Sequence, residues 1–355
     1  MEFQKLDYVN YIWPIGDINK WIIAVSKCAK IVDLNTGEVL KNFEHPKQVN
    51  YCIPFWYEAE EYDTQLDAAT DSMTYRRLLT CWRDGVVRIF TTKKSKSEEE
   101  KSLVIELEAH KISCTSACIS NDEKYLATGG RDYKTFLWDL ESVLNKFEEG
   151  QTDTKFKPLH QLEITRNMIT WMKWLPNCND KFIQTSEDLN MRIFSVVDDM
   201  IQQTVSVKVG ATFATTIDID PQGESIITGH RWFNNTGSFI KIWDLTNLLE
   251  SSTPEPVLEQ SHNFSCVSAH FIFRDGAKQT EKYIITWSAD KMIKVINLQG
   301  IQVSYISSND IYTAMWPIGL YDSMDALNQQ KWIVVAANNK PEVMVYNINC
   351  LTMNF

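Results

Sequence analysis

Residues 109–140 read AHKISCTSACISNDEKYLATGGRDYKTFLWDL. Three short runs, ISCTSACIS, YLATG and KTFLWDL, are separated by the turn sequences NDEK and GRDY. Runs of this length, rich in β-branched and aromatic residues and bounded by turn formers, predict antiparallel strands. Four side chains with polar tips stand at set places: His110 ahead of the first run, Thr128 in the second, Asp132 four residues later and Trp138 six residues after that. A single sheet of this kind cannot bury both of its faces, so the recurrence of the pattern decides the fold.

The pattern recurs along the chain. Seven segments align on its second and third strands: WIIAVSKCAKIVDL (21–34), RLLTCWRDGVVRIF (77–90), KYLATGGRDYKTFLWDL (124–140), KFIQTSEDLNMRIF (181–194), SIITGHRWFNNTGSFIKIWDL (225–245), KYIITWSADKMIKVINL (282–298) and KWIVVAANNKPEVMVYNI (331–348). The aligned strand ends, Val32, Phe90, Trp138, Phe194, Trp243, Ile296 and Tyr346, lie 48 to 58 residues apart. Candidate first strands precede each hairpin, among them YVNYIWPIG (8–16), MITWMKWLP (168–176), CVSAHFIF (266–273) and IYTAMWPIG (311–319). WPIG occurs near both chain ends, each time followed by Lys-Trp-Ile. Candidate fourth strands such as IQQTVSV and IQVSYIS are more polar, which suits an outer strand facing water.

These residues and spacings resemble the WD40 repeat, with Trp138-Asp139 intact and Ala109 in place of the Gly of its GH pair. The resemblance covers the whole chain. It implies an all-β, seven-bladed WD40 β-propeller of four-stranded antiparallel blades, forming one domain. The repeats fall at approximately 8–43, 49–108, 112–164, 168–208, 212–260, 266–307 and 311–355. The ring is expected to close through residues 1–6 at the edge of the last blade, with 351–355 as the competing segment. The resemblance also implies a hydrogen-bond chain in which Asp132 holds the His110 ring, Thr128 bridges and the Trp138 indole ends the chain. An unpaired buried group of these kinds costs about 1–3 kcal/mol, so such a chain is self-consistent.

Composition narrows the function. The 355 residues carry a formal charge of −11, with 44% hydrophobic and 12% aromatic residues. An acidic chain disfavours a broad nucleic-acid surface, and no direct nucleic-acid contact is expected. No apolar run is long enough to span a membrane. The opening MEFQKLDYVN lacks the features of a signal peptide, and the eight cysteines form no C-x-x-C pair. The expected setting is a reducing one, cytoplasmic or nuclear.

Three His–Thr–Asp sets recur: His45 with Thr80 and Asp84, His110 with Thr128 and Asp132, and His262 with Thr286 and Asp290. They resemble catalytic triads, but a buried structural network needs the same partners. No Gly-rich phosphate loop, nucleophile elbow or metal-ligand cluster occurs. No catalytic residue, metal, cofactor or small-molecule substrate is therefore expected. His230 and His270 read as isolated residues with packed or surface roles.

Two regions point to partners. The long turn HRWFNNTGS (230–238) carries Arg231, Trp232 and Phe233, and the turns of repeats two and three add Trp82, Arg83 and Arg131. Arginine and aromatic residues are enriched at binding hot spots. A rim of this composition on an acidic protein suits an acidic or phosphorylated peptide. Charged insertions at 58–75, 93–101, 141–158 and 322–330 read as solvated loops of the opposite face, which could form a second docking surface. The expectation is a non-catalytic scaffold that binds protein segments within a complex. The alternatives are a propeller enzyme using the channel mouth and a subunit of an RNA-processing or ribosome-assembly complex.

Overall fold

The computed structural model describes residues 9–14, 20–25, 28–44, 52–59, 75–92, 102–108, 110–149, 155–232, 238–275, 280–308, 310, 314–320, 331–337 and 343–349. Sheet 1 is formed by β1 (Val9–Pro14), β2 (Lys20–Val25), β3 (Cys28–Asp33) and β4 (Val39–Glu44). Sheet 2 holds β5 (Cys52–Ala59), β6 (Tyr75–Trp82), β7 (Val86–Thr92) and β8 (Ser102–Glu108). In sheet 3, β9 (Cys114–Ile119), β10 (Tyr125–Gly130) and β11 (Thr135–Asp139) lead through helix α1 (Leu140–Glu148) to β12 (His160–Leu162). Sheet 4 holds β13 (Ile169–Trp174), β14 (Lys181–Ser186), β15 (Asn190–Val197) and β16 (Met200–Lys208). In sheet 5, β17 (Ala214–Ile219), β18 (Ser225–His230) and β19 (Ser238–Asp244) lead through helix α2 (Leu245–Glu250) to β20 (Leu258–His262). Sheet 6 holds β21 (Cys266–Asp275), β22 (Thr280–Ser288), β23 (Met292–Asn297) and β24 (Gln302–Ser307). The last sheet has three strands, β25 (Ala314–Leu320), β26 (Lys331–Ala337) and β27 (Val343–Asn349).

Every sheet is an antiparallel meander, and each first strand lies against the first strands of neighbouring sheets. Among the described residues, the architecture is an all-β propeller with six complete four-stranded blades, rather than the seven expected. The three-stranded sheet lacks a fourth strand among the described residues, and the expected closing segments, 1–6 and 351–355, lie outside them.

The core lies between sheets. Trp138 packs with Leu79, Val87 and Ile105 of sheet 2, and Trp243 packs with Ile183 and Met191 of sheet 4. Both indoles are 1% exposed, and Trp21, Trp82 and Trp287 are fully buried. Large rings filling each inter-sheet gap dominate this kind of core. The outer strand β16 is mostly exposed, with only Ile201 and Val207 buried, as a water-facing edge should be.

The Asp of each Trp-Asp pair does separate work. Asp139 caps α1 by accepting from the Ser142 N–H at 2.8 Å, and Asp244 caps α2 from the Asn247 N–H at 2.7 Å. Segment 141–158 therefore departs from the solvated loop expected there. Leu140, Val143, Leu144 and Phe147 recur at helical spacing and are buried, which forms one apolar face.

A bulge in several first strands sews neighbouring sheets together. The register of β9 with β10 skips Thr115, and that of β17 with β18 skips Thr215. The freed hydroxyls donate to the next sheet: Thr115 to the Ile169 carbonyl and Thr215 to the Cys266 carbonyl, each at 2.7 Å. A bulge re-aims a side chain in this way without breaking the rest of the ladder.

Gly85 makes the tightest inter-sheet approach. Its φ is +86°, and a Cβ there would lie 2.4 Å from both the His110 and the Ile112 carbonyl oxygens. The turn after β6 thus rests on the loop that enters β9. Gly85→Ala is expected to cost about 3 kcal/mol in urea unfolding, through backbone strain and collision together. Gly223→Ala, at φ +72° but facing the Pro176 side chain at 3.3 Å, should cost less.

Candidate interaction face

Sheet 3 carries a continuous polar chain. His110 Nδ1 lies 2.9 Å from Asp132 Oδ1, and its Nε2 lies 3.1 Å from Thr128 Oγ1. The Trp138 indole N–H donates to the same hydroxyl at 3.1 Å. Asp132 Oδ2 also accepts the Lys111 N–H at 3.1 Å. The loop before β9, the second strand, the hairpin turn and the third strand are therefore tied at one point. Burial opposes a charge on the His110 ring, but the Cys114 sulfur and the Asp132 carboxylate beside it outweigh burial and raise its pKa to about 9.

The other sheets meet the same need with different residues. In sheet 2 the carboxylate of Asp84 takes both Arg88 terminal nitrogens, at 3.1 and 2.8 Å, and the Arg88 Nε–H donates to Glu106. Asp188 and Arg192 repeat this bidentate pairing in sheet 4 at 3.1 and 2.7 Å. The Asp-x-x-x-Arg spacing was visible in RDGVVR and EDLNMR, but the sequence reading overlooked it. His45 lies outside the described residues. Thr80 accepts the indole N–H of Trp82 at 2.6 Å and donates to the Arg88 carbonyl at 3.3 Å.

Sheet 5 supplies its ring from the strand itself. The Trp243 indole donates to Thr228 Oγ1 at 3.0 Å, Thr228 lies 2.9 Å from His230 Nε2, and His230 Nδ1 lies 3.1 Å from the Thr212 carbonyl. Since a carbonyl only accepts, Nδ1 carries the hydrogen and Nε2 accepts from Thr228. His230 is thus a buried link in a chain, not an isolated residue. Its signal was the Thr-x-His spacing, which puts both side chains on one face of a strand. Burial lowers its pKa to about 4, with the Lys241 charge adding to the effect.

Sheet 6 does not join its set. His262 Nδ1 and Asp290 Oδ2 are both buried without a hydrogen-bond partner among the described residues. Thr286 donates instead to the Lys294 carbonyl at 3.5 Å. Burial, with Lys294 nearby, lowers the His262 pKa to about 4.

Hairpin turns and the loops entering first strands share one end of the molecule. The Arg131 N–H donates to the Ser113 carbonyl, Glu187 to Met168, Arg231 to Phe213 and Ala289 to Ser265, at 2.9 to 3.2 Å. Arg131 and Arg231 thus occupy equivalent, exposed places, and Arg83 takes that place in sheet 2. Arg231 lies 5.7 Å from the centre of the Phe213 ring. Trp232 is 37% exposed and packs on half-exposed Phe264 with ring centres 6.1 Å apart. Its N–H is held by Ser265 Oγ at 2.9 Å. Phe233 lies outside the described residues. Trp82 is not part of this face: β6 runs on through it, and the indole is fully buried against Thr80.

The family model for the WD domain, G-beta repeat (WD40) matches residues 101–139, which include the polar chain of sheet 3. Sheet 3 thus carries a WD40 repeat, set within a β-propeller. Among curated proteins, no match is found.

WD40 propellers generally mediate protein–protein interaction, but one polar cluster in this propeller has the outline of an active site. His270 Nε2 lies 2.7 Å from Ser268 Oγ, and its Nδ1 lies 3.6 Å from Asp218 Oδ2. A small cavity of about 20 Å³ adjoins it, lined by Tyr11, Trp171, Thr216, Ser268, His270, Met315 and Trp316. These residues come from the first strands β1, β13, β17, β21 and β25. His270, which reads as isolated in the sequence, meets Ser268 on its own strand and Asp218 and Met315 from other repeats.

The geometry does not suit a serine nucleophile. His270 Nε2 also lies 3.1 Å from the Met315 carbonyl, and the Ser268 hydroxyl donates to that carbonyl at 3.3 Å. An acceptor that close leaves the hydrogen on Nε2, so Nε2 is not free to take the serine proton. Asp218 is engaged elsewhere: it accepts the Phe271 N–H at 3.0 Å and pairs with Lys173. Burial pushes its carboxyl up, but Lys173 and His270 outweigh this and hold it well below the usual carboxylate range. Among the described residues, no cluster of His, Cys, Asp and Glu could hold a metal, and no helix is long and apolar enough to cross a membrane.

Two outcomes follow from these chains. The raised His110 pKa, to which Cys114 and then Asp132 contribute, adds stability that is complete below the ordinary His pKa near 6.5 and fades as pH rises through about 9, and Asp132 supplies part of it. The gap in urea midpoint between wild type and Asp132→Asn should therefore be larger at pH 6 than at pH 9.5. In the channel, a fluorophosphonate probe should leave Ser268 unlabelled, as judged by peptide mass spectrometry of the treated protein.

Proposed function

We propose that this propeller is a non-catalytic scaffold that binds protein segments across the face carrying Arg83, Arg131, Arg231 and Trp232. One observation carries the reading. Three arginines stand at equivalent, exposed turn positions of sheets 2, 3 and 5, with the exposed aromatic pair Trp232 and Phe264 beside one of them. On a chain of net charge −11, a basic and aromatic rim complements an acidic or phosphorylated segment.

The last, three-stranded sheet is read as a seventh blade. Trp13 of β1 and Trp316 of β25 meet as tilted rings with centres 4.7 Å apart, which supports a closed ring. A fourth strand from residues 1–6 would cover the open edge of β27. The described cysteines Cys28, Cys81, Cys114, Cys118, Cys178 and Cys266 are not in disulfides, and all but Cys178 are buried. This supports a cytoplasmic or nuclear setting.

The test is a comparative capture experiment. Tagged wild type and the Arg231→Ala/Trp232→Ala double variant are expressed in the native cells, and their stoichiometric partners are identified by mass spectrometry. At least one partner should be lost or weakened tenfold or more with the variant, while thermal unfolding stays unchanged. An unchanged partner set would remove this face from the reading.

A further inference from the structure

Part of this face is more specific than a general basic rim. The junction of sheets 2 and 3 gathers three cationic side chains from three separate segments: Arg83 in the turn after β6, Lys111 in the loop before β9, and Arg131 in the turn after β10. All three are exposed. Two close backbone contacts bring the segments together. Gly85 rests against the His110 and Ile112 carbonyls, and the Arg131 N–H donates to the Ser113 carbonyl at 2.9 Å.

The acidic residues at this junction are already matched. Asp84 is held by Arg88, and Asp132 by the His110 ring and the Lys111 N–H. Glu108, paired in register with Val86, is exposed one strand further out and offsets at most one of the three cations. Among the described residues, Arg83, Lys111 and Arg131 form no ion pair. Two large apolar side chains in the same segments, Ile112 next to Lys111 and Tyr133 two residues after Arg131, are 53% and 43% exposed. Tyr133 is fixed there with φ +67°, a conformation unusual for a tyrosine, and its carbonyl accepts the Thr165 hydroxyl.

We propose that this junction binds a phosphorylated serine or threonine of a partner protein, with an apolar residue next to it seated on Ile112 and Tyr133. The inference rests on the scaffold reading above. A single carboxylate would match one of the three cations. A phosphomonoester carries a charge of about −1.5 to −2 and three acceptor oxygens, enough to engage all three. The backbone contacts hold the segments in place before binding, which limits the ordering cost on each side chain. The apolar pair gives the site a reason to prefer a peptide over a bare polyanion, since phosphate contacts alone carry no sequence information.

Three matched degenerate peptide libraries test this, with the central residue fixed as phosphoserine, glutamate or serine. Each is passed over immobilised full-length protein at physiological salt. The phosphoserine library should be retained at least tenfold more than either other library, with Leu, Ile, Val or Phe enriched beside the fixed residue. Arg83→Glu/Arg131→Glu should abolish retention, and Ile112→Ser should remove the apolar enrichment while leaving phosphate dependence. Because these side chains are exposed, unchanged thermal unfolding is expected and is measured in parallel. Equal retention of the glutamate and phosphoserine libraries would overturn the choice of phosphate. Equally strong, charge-reversal-sensitive binding of single-stranded RNA or of anionic vesicles would overturn the choice of a peptide. If none of the libraries binds, the proposal fails. In that case, continued loss of captured partners with Arg231→Ala/Trp232→Ala would show that the scaffold reading itself survives.

Discussion

The propeller depends on how each sheet satisfies a polar group that its own packing removes from water. The hydroxyls of Thr80, Thr128 and Thr228 are fully buried at corresponding places in second strands. Left unpaired, each would cost about 1–3 kcal/mol, a large share of the net stability of a domain. In all three sheets an indole N–H meets the hydroxyl, but from different places: Trp82 on the second strand, and Trp138 and Trp243 on the third. The acceptor is constant and the donor moves. Repeats that look degenerate by their Trp-Asp signature need not be weakly held, because Phe90 loses the indole and Trp82 restores it.

The same exchange explains the residue two places after the buried hydroxyl. In sheet 3 that residue is Gly130, where a Cβ would lie 2.4 Å from the His110 ring nitrogen. The loop histidine occupies the space, so the strand must leave it empty. Sheet 5 inverts the arrangement and places His230 on the strand, bonded back to the Thr212 carbonyl of the loop. Sheet 2 places Trp82 there. In these three sheets the buried hydroxyl meets one such ring, supplied by either the loop or the strand. The charged residue in the turn follows: Asp132 faces a histidine, while Asp84 and Asp188 are met by Arg88 and Arg192 from the third strand.

Much of this was legible in the sequence, and the failures have a common cause. Strand positions, the outer polar strands and the chain from Trp138 to Asp132 could be read because each lies within one repeat and follows local periodicity. Trp82 was misplaced because the second strand runs two residues past Thr80 before turning, and a tryptophan next to Arg-Asp-Gly has the composition of a turn tip. Helix α1 was missed because its charged residues hid an i, i+3, i+4, i+7 apolar face. The Ser268–His270–Asp218 cluster was out of reach altogether. Asp218 and Met315 stand roughly fifty residues to either side of His270, and first strands from three sheets must converge before they meet.

That convergence bears on why the inner tier of the propeller is bound so closely. Lys173, Asp218, His270, Trp316 and Trp13 follow one another around the first strands, joined by an ion pair, a carboxylate–imidazole approach of 3.6 Å, and ring contacts of 4.6 and 4.7 Å. Each link crosses a boundary between sheets. A partly buried ionic contact such as Lys173–Asp218 is a poor source of net stability, since desolvation and solvent screening offset most of its attraction. Removing one partner from such a pair is costly all the same, because the other is stranded. The tier therefore acts less as glue than as a register: it penalises any arrangement in which these first strands meet in another order. Specificity of assembly comes from the charged interior, bulk stability from the aromatic gaps between sheets, and the outward turns are left free to vary. Their unpaired arginines are where a partner would find charge not already used by the fold.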